Sequence, residues 1–134
     1  MRKILIIDDE EDIRDALQMV LESAGYEVRI ASNGNEAIEI QHREPADVII
    51  TDIIMPEKDG VATIKKIRQE FPGIRIIAIS GGGDIDPVTY KPEAIKTSAY
   101  LVAAKEAGAD HTFTKPFERK DLIQAVDDLL HKIH

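Results

Sequence analysis

The sequence predicts an α/β domain, a (βα)5 doubly wound five-stranded parallel sheet, from three observations. Short apolar runs rich in β-branched residues recur along the chain, stretches with a helical apolar period separate them, and Gly25 and Gly108 stand where two of those stretches stop. Ile4-Leu5-Ile6-Ile7 is too short for a helix and continuously apolar, as a strand covered on both faces must be. Ile13, Ala16, Leu17, Val20, Leu21 and Ala24 then recur on one side of a helix that Gly25 ends. A second strand over Glu27 to Ala31 and a helix over Gly34 to Arg43 follow. The third strand, Val48-Ile49-Ile50, leads to a helix over Asp59 to Gln69. The fourth, Ile74 to Ile79, is interrupted only by Arg75, and a helix ending near Ala107 comes after it. His111 to Thr114 makes the fifth strand. In the last helix, Glu118 to Lys132, the positions Leu122, Val126, Leu129, Leu130 and Ile133 line up as an apolar stripe. Strand-helix-strand crossovers of this kind build a parallel sheet with helices on both faces. With no linker, repeat or low-complexity tract, the expectation is one domain over residues 1–134, with no output domain in the chain.

Composition narrows the function. The 134 residues carry 17 Lys and Arg against 25 Asp and Glu, a formal charge of −8, which disfavours direct nucleic-acid binding because phosphate affinity comes from clustered cations. The absence of cysteine removes disulfides, thiolate nucleophiles and Cys-based metal sites. The apolar run before Asp8, Ile4 to Ile7, is four residues long, too short for a signal peptide or a spanning helix, so no membrane role and a cytoplasmic location are expected. The charge is unevenly placed: Asp8, Asp9, Glu10, Glu11, Asp12 and Asp15 crowd eight positions.

In open α/β sheets, sites form at the carboxyl ends of the strands. There the sequence places Asp8 and Asp9, then Thr51 and Asp52, then Ser80, then Thr114-Lys115-Pro116. A single strand-end Asp is usually a cap or turn residue. Three carboxylates, a hydroxyl and an ammonium arriving from four strands make a more specific pattern. Close carboxylates repel unless a cation joins them, and Mg²⁺ suits an oxygen-only set that also receives phosphate.

The ordered set of Asp8-Asp9, Asp52-Ile53-Ile54-Met55-Pro56-Glu57-Lys58-Asp59-Gly60, Ser80-Gly81 and Lys115-Pro116-Phe117 resembles the receiver domain of two-component response regulators, over essentially the whole chain. The resemblance implies a flavodoxin-like, CheY-like fold with strand order 2-1-3-4-5. It implies that Asp52 is the phosphoacceptor, that Asp9 and Asp52 bind Mg²⁺ directly, with Mn²⁺ as a substitute, and that Asp8 acts through a water on the metal. The backbone carbonyl of Ile54 would complete the metal site, Ser80 and Lys115 would hold the phosphoryl group, and the side chains at Ile54 and Gly82 would tune its lifetime. The implied partners are a sensor histidine kinase or a His phosphotransfer protein and a downstream protein. A homodimer through the fourth helix, fifth strand and fifth helix is also implied. The domain would be a signalling switch rather than a turnover enzyme.

Two features depart from that pattern. The family usually has an aromatic three residues before the Lys, where this chain has Thr112; Phe113 is one place along, on the opposite face of the strand, and is expected in the core. Lys115 follows Ser80 by 35 positions, roughly a dozen more than the family uses, and surplus segments of this size tend to be functional or mobile. The excess falls in Gly81 to Glu93, where three glycines and two prolines make a poor helix. Pro56 and Gly60 fit a turn after the acceptor, and Lys115-Pro116 is cis in the family. His42, His111, His131 and His134 form no ligand set, and Gly81-Gly82-Gly83 lacks nucleotide-loop spacing. A haloacid dehalogenase-type phosphohydrolase shares the residue types but wants Asp-x-Asp after the first strand. A receiver-like binding module without phosphorylation and a flavodoxin-like flavin binder are the other readings.

Overall fold

The computed structural model describes residues 2–8, 10–52, 54–55, 58–80, 102–114 and 118–131, with the backbone alone at 54–55, 58–60, 80 and 114. The elements are β1 (Lys3–Ile7), α1 (Glu11–Ser23), β2 (Glu27–Ala31), α2 (Gly34–Arg43), β3 (Val48–Asp52), β4 (Ile54–Met55), β5 (Lys58–Asp59), α3 (Gly60–Glu70), β6 (Arg75–Ser80), helical residues 102–107 (α4), β7 (His111–Thr114) and α5 (Arg119–His131).

Five parallel strands form one sheet in the order β2-β1-β3-β6-β7, which is second, first, third, fourth, fifth along the chain. Alternation splits each strand between two cores. Ile4, Ile6, Ile50, Ile77 and Ile79 pack with Leu17 and Leu21 of α1 and Leu122, Val126 and Leu130 of α5. Leu5, Ile7, Ile49, Ile76 and Ala78 face the other way, against Ala37 of α2, Ile64 and Ile67 of α3 and Ala104 of α4. Both faces are covered, which is why these strands read as unbroken apolar runs.

Gly25 and Gly108 end α1 and α4 in the left-handed region, at φ +98° and +126°. After α1, Tyr26 N–H donates to Leu21 O and Gly25 N–H to Glu22 O; after α4, Ala109 N–H donates to Ala104 O and Gly108 N–H to Lys105 O. These paired bonds satisfy carbonyls that the helix end would otherwise leave open, and they require a residue that tolerates positive φ.

One element was not expected. Ile54–Met55 and Lys58–Asp59 form a two-stranded antiparallel hairpin where the sequence suggested an open turn. Pairing Asp59 with Ile54 delays α3 by one residue, so it starts at Gly60 rather than Asp59. The remaining shifts are of one or two residues: β3 runs on to Asp52, β6 spans Arg75–Ser80, and α5 begins at Arg119 rather than Glu118, Lys132 and Ile133 lying outside the described residues.

Candidate functional site

The sheet order reverses between β1 and β3, since the chain passes to β2 on one side and to β6 and β7 on the other. This is the switch point at which doubly wound sheets open a crevice at their carboxyl edge. Ile7 is paired with Thr51, so the next positions, Asp8 and Asp52, stand side by side about one strand spacing, ~4.8 Å, apart.

Both carboxylates are taken out of water: Asp8 is 2% and Asp52 7% exposed. The backbone N–H of Asp8 continues the β1–β2 ladder to Ala31 O at 3.1 Å. Its Oδ1 accepts the Glu10 N–H at 2.9 Å, turning the chain into α1. Asp52 is the last residue of β3, in register with Ile79 of β6. The Thr51 hydroxyl, fully buried, donates to the Asp52 carbonyl at 3.1 Å. By contrast Glu10, Glu11, Asp12 and Asp15 are exposed on and before α1, so the acidic run divides into a buried Asp8 and a solvated helix start. Glu11 and Asp12 sit in the first turn of α1, where the helix dipole favours negative charge.

Ser80 and Thr114 end β6 and β7 and are in register with each other, so the backbone brings Ser80 to the same edge as Asp8 and Asp52. Ile54 lies two residues beyond Asp52, in β4. Thr112 pairs with Ala78, on the sheet face covered by α3 and α4; Phe113 pairs with Ile79 and packs into the core beneath α1 and α5, as expected. Asp9, Lys115, Gly82, Pro56, Pro116 and the surplus segment Gly81 to Glu93 lie outside the described residues. Among the described residues no three His, Asp or Glu side chains gather into a metal site, the third carboxylate of the expected set being Asp9. The donor set that is described, two buried carboxylates on adjacent strand ends, offers the oxygen ligands that a hard divalent cation takes.

The sequence placed Thr51 at the strand end and Glu10 in the acidic run without indicating a role for either. The Asp8–Glu10 turn had a readable signal, an Asp two residues ahead of an N–H that must be satisfied before a helix. Thr51 had none, since a hydroxyl inside a buried strand is ambiguous between packing and support.

The fold and edge define a class: doubly wound α/β domains that gather carboxylates at the switch point between their first and third strands. A family model described as the response regulator receiver domain matches residues 4–127, and the chain belongs to that family. A response regulator from Chloroflexus aurantiacus J-10-fl is 33% identical, with a TM-score of 0.80 over 98% of each chain. A response regulator receiver domain protein from Clostridium thermocellum is 29% identical, with a TM-score of 0.82 over 98% of this chain and 96% of the other. A CheY-like receiver domain protein from Methanospirillum hungatei JF-1 is 28% identical, with a TM-score of 0.80 over 97% and 94%. The receiver family is a signalling switch of two-component systems. Among the described residues, no helix is long and apolar enough to cross a membrane.

Proposed function

We propose that this chain is a Mg²⁺-dependent phosphoacceptor that takes a phosphoryl group from a phosphohistidine onto Asp52. The observation that carries this reading is the pair of buried carboxylates, Asp8 and Asp52, adjacent at the switch point of a receiver sheet. An Oδ atom of Asp52 attacks phosphorus; a P–O bond forms as the P–N bond breaks, and the imidazole leaves with the electron pair. Asp9 and Asp52 would hold Mg²⁺, with Asp8 acting through a water and the Ile54 carbonyl completing the set, and the ion would neutralise charge on the phosphoryl oxygens. Burial of Asp52 excludes bulk water from the nucleophile, and the Thr51 hydroxyl fixes the backbone that carries it. Ser80 donates a hydroxyl hydrogen bond and Lys115 a compact cation to the transferred group. These are positioning and electrostatic tasks, in keeping with phosphoryl transfer.

The donor is a sensor histidine kinase or a His phosphotransfer protein, and the acyl phosphate changes binding to a downstream protein in the cytoplasm. Incubation with acetyl phosphate and Mg²⁺ followed by intact-mass measurement tests the reading. A single phosphoryl adduct, absent in Asp52→Asn and after chelation, is expected. No adduct under conditions that label other receivers contradicts it.

A further inference from the structure

We propose that in this chain the state of Asp52 is reported through Phe113 and His111 to the face covered by α5, not through position 112 to the face covered by α4. This rests on the phosphoacceptor reading above and concerns where its signal goes.

Ser80 and Thr114 close the β6–β7 ladder at the carboxyl edge, and the residues before them pair as Ile79 with Phe113, Ala78 with Thr112 and Ile77 with His111. A shift of the β6 and β7 ends toward a group on Asp52 therefore moves these three pairs first. Positions 111 and 113 share one face of the strand and position 112 takes the other.

The two faces differ in what they can transmit. On the side of α4, Thr112 stands beside Ala78, in a core region that also holds Ala104 and Ala109. Side chains this short offer few atoms to push against. On the opposite side, Phe113 is partly buried in the core formed by Ile77, Ile79, Leu122 and Val126. Its ring meets the His111 imidazole edge-on, with centroids 4.7 Å apart and planes at 76°. An aromatic ring in a close-packed core cannot shift without repacking its neighbours, and an edge-to-face pair depends on orientation. His111, half exposed on the outermost strand of the sheet, carries that change to the surface next to α5.

The His111 imidazole is its own reporter. Ring resonances of the four histidines are followed by NMR in the full chain before and after acetyl phosphate with Mg²⁺, the His111 signal being assigned by its loss in His111→Gln. Intact mass is measured on the same samples. The His111 resonance is expected to shift when the adduct forms, to shift equally in Thr112→Val, and to lose its response in Phe113→Leu although that variant is still labelled. An adduct that forms while His111 stays unmoved overturns the inference and leaves the phosphoacceptor reading standing. Loss of the response in Thr112→Val with its retention in Phe113→Leu also overturns it. Absence of any adduct overturns the underlying reading, and the inference falls with it.

Discussion

Gly34 opens α2 at the carboxyl edge, just after β2, and a Cβ built there would lie 2.8 Å from Thr63 Cγ2 and 3.0 Å from Thr63 Oγ1. Real Cβ atoms do not approach so closely, and Thr63 is itself buried in α3, so Gly34→Ala must push α2 and α3 apart. Overpacking of this kind costs about 1–3 kcal/mol. Replacing Gly by Ala in a helix returns at most about 1 kcal/mol, and less in the first turn. The net expectation is a loss of about 1–2 kcal/mol, which for a chain of this length lowers Tm by roughly 4–8 °C. Urea unfolding of the wild type, Gly34→Ala, Thr63→Ala and the double variant measures it. In the Thr63→Ala background both offending atoms are gone, so the alanine should cost little or even stabilise, a coupling of about 1–2 kcal/mol. A Gly34→Ala protein as stable as the wild type, or an equal loss in both backgrounds, refutes the reasoning.

Arg68 of α3 ties the helix to two loops, donating to Pro72 O at 2.8 Å, to Ile74 O, to Gly108 O at 2.7 Å and to Asp110 Oδ2 at 3.0 Å. Arg68→Ala should lower stability by about 2–4 kcal/mol in denaturant titration, and Arg68→Lys should recover less than half, because one ammonium cannot reproduce the guanidinium fork. Tyr26 has its phenol pushed above the ordinary 10.0, first by burial and then by the Asp127 carboxylate beside it. A raised folded value means the native state holds the proton longer. Its stabilisation is complete below pH 10 and is lost as pH rises through the folded value. Tyr26→Phe should therefore flatten the alkaline fall in stability, and an identical slope in wild type and variant would refute that.

Most of the fold could be read locally. The β-branched runs, the period of Ile13 to Ala24 and the two helix-ending glycines are signals within a few residues of the structure they specify, and each element lies within about two residues of its predicted bounds. The β4–β5 hairpin was not legible, because two paired residues carry no alternation and Asp59 is as good a helix-start residue as a strand end. The Arg68 fork was not legible either: its partners Gly108 and Asp110 lie 40 and 42 residues away, and only the folded sheet brings them together. Within the site, Asp8, Asp52 and Ser80 could be placed because strand ends in a doubly wound sheet converge. The split of the acidic run into a buried Asp8 and exposed Glu10, Glu11, Asp12 and Asp15 depended on where the chain turns, a fact of three dimensions. Thr112 and Phe113 fell on the faces that strand alternation demands.

The proposed destination of the phosphoryl group is a carboxylate oxygen of Asp52. Borohydride reduces an acyl phosphate to the alcohol, so treating the phosphorylated protein with it and mapping peptides converts the modified residue to homoserine. Homoserine is expected at position 52 alone, dependent on Mg²⁺ and absent when acetyl phosphate is omitted. Reduction at any other carboxylate, or a phosphoryl label that survives borohydride on a histidine or hydroxyl side chain, would contradict it.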